Sequence, residues 1–368
     1  MRNAFITIVV VVALVAGAAW TTSSARAVAE SGQGPKLTSV GPLAFSADGT
    51  LFAADNLAAT IYSLDLGTQA AGATPGAKGL DGIDKTLADM LGTAPGEIAI
   101  TDLAVHPRSH NAFVSVMRGQ GASASPALFR VDGAGKIDLV TLQSLKFSKV
   151  ELPNAPAAPN TVSRRNSRSE TVTDMALVDG KLWVAGLSNE EFASKLRAIP
   201  YPFSAVDNGT SVEIFHGNHA AVETRSPVYA FVPYTVGGQQ NLIAGYLCTP
   251  LVKFAIAGLK AGEKVRGTTI AELGAGNRPI DMVLYKKDGA EYLLMSNTSR
   301  GVMKIPTKDF ASQAPITAKV PEGTAGITYE TIKSMTGIQQ LDMLDAEHSI
   351  VVAKSAAGVT SLRTDVLP

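Results

Sequence analysis

Two histidines and a glutamate are spaced closely enough along the chain to bind a metal ion. His216, His219 and Glu223 lie in the segment FHGNHAAVETRS, and imidazole and carboxylate groups are ligands that divalent transition metals accept. The familiar zinc motif places a glutamate directly after the first histidine, on a helix, so that both rings share one face. Here Gly217 and Asn218 fill the gap in a loop-like segment. We therefore favour hydrogen bonding within the loop, or contact with an anionic ligand, over metal binding.

Cys248 is the single cysteine of the chain, which excludes an internal disulfide. A lone cysteine is most often a small buried hydrophobe, and we favour that interpretation. As a nucleophile it would need a neighbouring base, which His216 or His219 could supply. A Cys–His–His metal site is a third interpretation of the same residues.

A second candidate site consists of oxygen ligands. Asp55, Asn189 and Asn297 each follow an apolar run, and carboxylate and amide oxygens are the ligands that Ca²⁺ prefers. The sequence thus leaves a divalent metal open as cofactor, either Ca²⁺ at these oxygens or Zn²⁺ at the histidines.

A degenerate repeat must position all of these residues. An apolar run, a tight polar turn, a second apolar run and a small polar cluster recur at 41–56, 100–119, 172–189, 226–249, 278–301 and 337–358. Copies at intervals of about 50–70 residues are typical of a β-propeller. We predict an all-β, six-bladed β-propeller.

The outermost strands of the blades are predicted from the segments that come after each copy. Segments 136–142, 211–215, 268–273 and 316–320 suit a fourth strand, whereas the segment after Leu66 is poorly defined. The last copy has no such strand, so we expect the N-terminal segment 36–40 to complete the last blade and close the ring. Helical spacing of apolar residues over 83–91 predicts one short helix.

Propeller geometry places the loops after the second and fourth strands on one face, around the channel mouth. Function on this face is an expectation by analogy with the fold. The residues that we predict for a ligand-binding rim there are His216, His219, Glu223, Arg225, Arg278, Arg300, Tyr246 and Cys248.

The N-terminus predicts export. Arg2 precedes an apolar run over 4–20, and Ala25-Arg26-Ala27 fits a signal-peptide cleavage site. We predict a signal peptide over 1–27, a single propeller domain over 28–368, a periplasmic or extracellular location, and no stable membrane insertion after cleavage. The 32 basic and 32 acidic residues balance, which argues against nucleic acid as a partner. A small molecule or an exported protein is expected instead, bound by a monomer.

The phrases GPLAFSADGTLFAADN and RPIDMVLYKKDGAEYLLMSNTSRG resemble the repeats of six-bladed propellers of the NHL and gluconolactonase-like superfamily. That resemblance implies a divalent metal in the central channel, with Asn189 and Asn297 as ligands, although Val40 stands where an acidic ligand is expected. The segments around FHGNHAAVETRS and CTPLVKFAIAGL are most similar to uncharacterised exported bacterial propeller proteins.

The leading functional hypothesis is an exported binding or scaffold module that uses the polar rim. The alternative is a metal-dependent hydrolase resembling lactonases, with Asn189, Asn297 and an acid such as Asp55 or Glu223 as ligands. A redox partner of an exported dehydrogenase is a third possibility. Whether the protein is an enzyme is left open.

Overall fold

The structure is a computed structural model that describes residues 25–26, 28–30, 34–120, 123–157, 167–248, 250–320 and 323–368. Within these ranges strands predominate, and one α-helix, α1 (Ile83–Met90), interrupts them at the predicted place. The predicted signal peptide lies outside the described residues except for Ala25–Arg26. No helix in the described ranges has the length and apolar character needed to cross a membrane.

The strands are short and are numbered along the chain. In the first half they are β1 (Ala25–Arg26), β2 (Val28–Glu30), β3 (Leu43–Phe45), β4 (Leu51–Asp55), β5 (Thr60–Asp65), β6 (Leu80–Asp81), β7 (Ile98–Val105), β8 (Ala112–Arg118), β9 (Ser125–Val131), β10 (Ile137–Leu139), β11 (Lys146–Glu151), β12 (Asp174–Val178), β13 (Lys181–Leu187), β14 (Ser194–Pro200), β15 (Ala205–Val206) and β16 (Thr210–His216). In the second half they are β17 (Ala221–Glu223), β18 (Val228–Val236), β19 (Gln239–Tyr246), β20 (Pro250–Ala255), β21 (Lys264–Arg266), β22 (Thr268–Glu272), β23 (Pro279–Lys287), β24 (Ala290–Asn297), β25 (Gly301–Pro306), β26 (Ala325–Gly326), β27 (Glu330–Ile332), β28 (Ile338–Met343), β29 (His348–Lys354) and β30 (Thr360–Val366).

Six antiparallel sheets form the six predicted blades. From the innermost strand outward they are blade 1 (β3-β4-β5-β11), blade 2 (β7-β8-β9-β10), blade 3 (β12-β13-β14-β16), blade 4 (β18-β19-β20-β22), blade 5 (β23-β24-β25-β27) and blade 6 (β28-β29-β30-β6). Short strands extend three outer edges: β2 on blade 1, β17 and the parallel β21 on blade 3, and β26 on blade 4. The six-bladed propeller is thus confirmed.

The blades do not follow one another around the ring in sequence order. The inner strand of blade 1 packs against those of blades 2 and 3, and the inner strand of blade 2 packs against that of blade 6. The ring order is therefore 2-1-3-4-5-6. The chain builds most of blade 1, crosses to blade 2, returns through β11 to finish blade 1, and continues into blade 3.

Ring closure differs from the prediction in the strand that performs it. The last blade is completed by a strand from the N-terminal part of the chain, but that strand is β6, paired with β30. Segment 36–40 is irregular, because the Asp55 carboxylate binds the backbone N–H groups of Thr38 and Ser39. Those donors are therefore unavailable for a sheet ladder.

Three predicted outer strands, in 136–142, 211–215 and 268–273, are confirmed as β10, β16 and β22. The prediction of a strand over 316–320 was wrong, since β27 pairs with β25 as the fourth strand of blade 5. Blade 1 takes its fourth strand from beyond blade 2, as β11 pairs with β5. No local pattern after Leu66 could have indicated this return.

The core lies between the faces of neighbouring sheets. The second strands are its most buried parts: every residue of β4 is buried, as are the last six of β13. The inner strands are less buried than their continuous apolar runs suggest, and β12 is mostly half-buried. One side of each inner strand borders the central channel, which explains the difference.

Four aspartates on inner strands bridge neighbouring blades. Each accepts a hydrogen bond through Oδ2 from a backbone N–H of the adjacent inner strand, as follows: Asp102 from Leu43 at 2.5 Å, Asp174 from Phe231 at 2.6 Å, Asp281 from Leu341 at 2.7 Å and Asp342 from Val105 at 2.7 Å. Four of the six seams, 1–2, 3–4, 5–6 and 6–2, thus carry the same bond from a backbone N–H to a carboxyl group.

Helix α1 follows the closing strand β6 and packs against β30 and β7, so it lies at the seam between blades 6 and 2. We expect Leu87→Ala, at a side chain with 0% exposure, to lower the free energy of unfolding by about 2–5 kcal/mol. Met90→Ala on the same helix, at a position 44% exposed, is the matched control and should change it by less than about 0.5 kcal/mol. Urea unfolding followed by circular dichroism measures both. Equal effects would contradict this role of the helix.

Candidate functional site

The central channel widens into a cavity at each end. The cavity on the predicted rim face, which we call the mouth cavity, has a volume of about 450 Å³. It is lined by Ser39, Val40, Gly41, Pro42, Asn56, Leu57, Thr101, Asp102, Met117, Ser169, Glu170, Thr173, Asp174, Tyr229, Arg278, Pro279, Ile280, Asp281 and Gln340. The cavity at the other end measures about 430 Å³. Asp102, Asp174 and Asp281 line both cavities and therefore lie between them.

The bridging aspartates hold protons more tightly than ordinary carboxyl groups. Burial, followed by repulsion from the other members of the set, raises the pKa of Asp102 to about 8 and of Asp174 to about 7. Burial also raises the pKa of Asp342 to about 6. The pKa of Asp281 is raised well above its ordinary value by burial and by the charges of the other three. The channel therefore concentrates carboxyl groups that repel one another when ionised.

Sequence reasoning missed these aspartates, although a signal was present. The inner-strand phrases ITDLAV, VTDMAL and PIDMVL carry aspartate directly before the apolar run, and QLDML carries aspartate two positions further along its strand, where Gln340 takes the equivalent place at the mouth cavity. The repeat was recognised from its apolar residues and turns, so a charged residue recurring inside a strand was not treated as part of the pattern. A charge repeated at equivalent positions of a closed ring must converge on the axis.

The predicted histidine pair forms a compact cluster with Glu223. His216 ends β16, and β17 returns antiparallel so that Glu223 lies near it. Glu223 Oε1 accepts from Nδ1 of His216 at 2.8 Å and from Nδ1 of His219 at 2.6 Å. Although burial alone would raise the pKa of Glu223, these two hydrogen bonds lower it below the ordinary value. The carboxylate therefore orients both rings.

Cys248 lies beside this pair. One ring nitrogen from each histidine and the Cys248 Sγ all lie within 4.8 Å of one another. Cys248 follows β19 in a left-handed backbone conformation with φ +59°, and its N–H donates to Asn277 O at 2.7 Å. Tyr246, two residues earlier, is fully buried, and burial raises the pKa of its hydroxyl. The structure thus brings together four of the predicted rim residues, His216, His219, Glu223 and Cys248.

Glu272, at the end of β22, joins this cluster and was not predicted. Its Oε1 accepts from Gly217 N at 2.6 Å, and its Oε2 lies 3.8 Å from His216 Nε2. Burial raises the pKa of Glu272. Position 217 requires glycine for this approach, because a Cβ there would lie 2.8 Å from the Val320 side chain. No motif in the sequence links Glu272 to the histidines, which lie on a neighbouring blade.

The three predicted arginines lie apart. Arg278 lines the mouth cavity and stacks over the Tyr229 ring, 5.2 Å from its centroid. Arg300 packs over Gly274 and donates to Ala275 O at 3.0 Å. Arg225 is exposed after β17. Of the predicted rim residues, Arg278 alone borders the mouth cavity among the residues described.

The predicted oxygen ligands lie on three different blades, and the side chains of Asp55 and Asn297 have protein partners. Both oxygens of the buried Asp55 carboxylate accept hydrogen bonds from Thr38 and Ser39. Asn297 Oδ1 accepts from Asn277 Nδ2 at 3.0 Å, and the Asn189 N–H donates to Asn154 O. A shared calcium site at these residues stays a prediction.

Comparison with known proteins leaves the family open. The sequence matches no protein-family model and no curated protein. A thermostable family-43 glycoside hydrolase aligns at 9% identity over 74% of this chain and 91% of its own, with a TM-score of 0.40. Virginiamycin B lyase from Staphylococcus aureus aligns at 10% identity over 94% and 100%, with a TM-score of 0.36. The PQQ-bound aldose sugar dehydrogenase from Streptomyces coelicolor aligns at 12% identity over 94% and 99%, with a TM-score of 0.30.

These likenesses are too distant to carry an argument about activity. The six-bladed ring rests instead on the pairing of its own strands. The resemblance to NHL and gluconolactonase-like repeats has no family match behind it and stays a resemblance.

The raised carboxyl pKa values predict that stability falls as the pH rises. The folded protein holds protons that the unfolded chain, with carboxyl pKa values near about 3.9, has released. This contribution is complete below about pH 4 and is lost as the pH passes through the folded-state pKa values of about 6, about 7 and about 8. Burial lowers the pKa of His106, which acts in the opposite direction, but five carboxyl groups have raised pKa values, Glu272 among them. Urea unfolding at about pH 5.5 and about pH 8.5 should show lower stability at the higher pH.

Asp281→Asn separates the charge from the hydrogen bond. An asparagine oxygen can still accept from Leu341 N–H, while the charge is removed. We expect this variant to be more stable than the parent at about pH 8.5 by roughly 1 kcal/mol or more, to approach it below about pH 4, where Asp281 is protonated in both the folded and the unfolded chain, and to depend less on pH. An unchanged dependence on pH would show that Asp281 is not part of the coupled set.

Proposed function

We propose that the protein is a binding module whose mouth cavity takes a small, positively charged organic molecule. The observation that carries this proposal is the placement of Asp102, Asp174 and Asp281 around one cavity of about 450 Å³. Small-molecule sites have volumes of roughly 300–1,000 Å³, so the cavity suits such a ligand.

Electrostatics favour a cation. The carboxyl groups of this cavity have raised pKa values because they are buried and repel one another. A cation placed among them removes that repulsion and favours their ionised forms. Glu170 adds a fourth acidic side chain, and Arg278 is the one basic side chain among the described residues that line the cavity.

The walls favour an organic cation over a bare metal ion. Val40, Met117 and Ile280 line the cavity beside the carboxyl groups, and an apolar wall has no ligand to offer a metal. The same wall can pack against the hydrocarbon part of an amine. Gln340 and Thr101 supply hydrogen-bonding groups at the same mouth.

We favour binding over the alternative of metal-dependent hydrolysis, because Asp55 and Asn297 already have protein partners. Export stays part of the proposal: with the predicted signal peptide, the module would meet its ligand in the periplasm or outside the cell. The ligand would then be a small molecule of that compartment.

The test is a thermal-shift screen of primary, secondary and quaternary amines against neutral alcohols of the same shape, followed by calorimetric titration of the hits. We expect amines to bind and their alcohol counterparts not to bind. Affinity should increase between about pH 6 and about pH 8, with protons released on binding, because the carboxyl groups must ionise. Preferential binding of neutral or anionic compounds would contradict the proposal.

Asp281→Asn should weaken binding of an amine hit by about 10- to 100-fold, the range for losing a hydrogen bond to a charged group. The control is Asp288→Asn, which removes the same charge in the β23–β24 turn on the opposite face. Asp288 has φ +51°, a conformation that asparagine tolerates. Equal losses in the two variants would indicate a long-range charge effect and not a site.

A further inference from the structure

A second site lies outside the mouth cavity. His216, His219 and Cys248 come from two blades, and none of them lines that cavity. One potential ligand atom from each lies within 4.8 Å of the other two, a separation across which a single metal ion can bind all three after small side-chain movements. Two imidazoles with one thiolate form a ligand set that zinc accepts.

Glu223 fixes which ring nitrogens are available. Its Oε1 contacts Nδ1 of both rings, and a carboxylate oxygen can only accept hydrogen bonds. Both Nδ1 atoms that contact it must therefore carry a proton. In a neutral imidazole the remaining nitrogen, Nε2, then has a free lone pair. Metal-binding histidines are typically held by a carboxylate in this way.

Two buried polar atoms at this place have no hydrogen-bond partner among the described residues. His216 is 1% exposed and Glu272 is 0% exposed, yet His216 Nε2 and Glu272 Oε2 have no hydrogen-bond partner among the described residues. They lie 3.8 Å apart. Buried polar atoms without a hydrogen-bond partner destabilise the folded state, so a group bound between these two atoms would remove that penalty.

The backbone at Cys248 is held in place by its surroundings. A left-handed conformation is unfavourable for a non-glycine residue and persists where surrounding contacts impose it. Cys248 adopts it with φ +59°, while Asn277 O holds its N–H. A residue held in this way beside two oriented histidines is a preorganised ligand.

We infer that His216, His219 and Cys248 form a zinc site with Nε2, Nε2 and Sγ as ligands. Three protein ligands would leave the fourth tetrahedral position open, and Glu272 Oε2 lies 3.8 Å from His216 Nε2. Binding is balanced by one proton: Zn²⁺ replaces the hydrogen on the Cys248 thiol, and both Nε2 atoms bind through free lone pairs. Glu223 is a positioning residue, since it acts on the metal through the two rings.

The test uses the purified full chain, stripped of metal with a chelator and titrated with Co²⁺ and then Zn²⁺. We expect one ion per chain, a thiolate-to-cobalt charge-transfer band, loss of that band on adding Zn²⁺, and release of one proton per Zn²⁺. Substoichiometric binding, or cobalt binding without the thiolate band, would overturn the inference.

Variants identify the ligands. Cys248→Ser should abolish the charge-transfer band, and His219→Gln, at an exposed side chain, should greatly weaken binding without loss of fold by circular dichroism. Glu223→Gln should weaken Zn²⁺ binding by about 10- to 100-fold while the band persists. His348→Gln, in the exposed cluster of Asp345, Glu347 and His348, is the control and should change nothing. A band that survives Cys248→Ser, or one that His348→Gln removes, would assign the metal elsewhere.

Discussion

The bridging carboxylate at the blade seams is the interaction on which the ring depends. Asp102, Asp174, Asp281 and Asp342 each join one inner strand to the next through a single backbone N–H. Because the strands converge on one axis, the bonds that join the seams also bring four acidic groups together. The bonds that join the blades therefore also place carboxyl groups where their ionised forms are buried and repel one another. This burial and repulsion raise the pKa values of the groups. The same charge that strains the ring at high pH is what makes the mouth cavity attractive to a cation.

Much of the fold could be predicted from the sequence because its signals are local. Six repeated phrases gave six sheets, and apolar spacing gave α1. The ring order could not be predicted, because blade 1 receives β11 only after the chain has built blade 2. Neither strand carries a sequence pattern that identifies a partner so far away in the chain. Segment 36–40 was misassigned for a related reason: its partner is a side chain, Asp55, and not another strand.

The candidate sites were predictable to different degrees. His216, His219 and Glu223 are close in sequence, so their contact follows from one turn between β16 and β17. Cys248 joins them because blades 3 and 4 are neighbours both in sequence and in the ring. Glu272 could not be inferred, since only the close approach allowed by Gly217 brings it to His216. The channel aspartates recur in the sequence, but their convergence on the channel can be inferred only once the order and closure of the blades are known.

The closing strand has a consequence for how the protein is made. Asp81 pairs in the finished ring with Ser361, 280 positions later in the chain. During synthesis, β6 is complete long before its partner exists, and blade 1 keeps an open edge until β11 emerges. Unpaired edges of this kind are sites where chains associate wrongly. Contacts so distant in sequence also slow folding, because the loop must close before the contact stabilises it. For this ring, the period before the last blade is complete is the time of greatest exposure to misassembly.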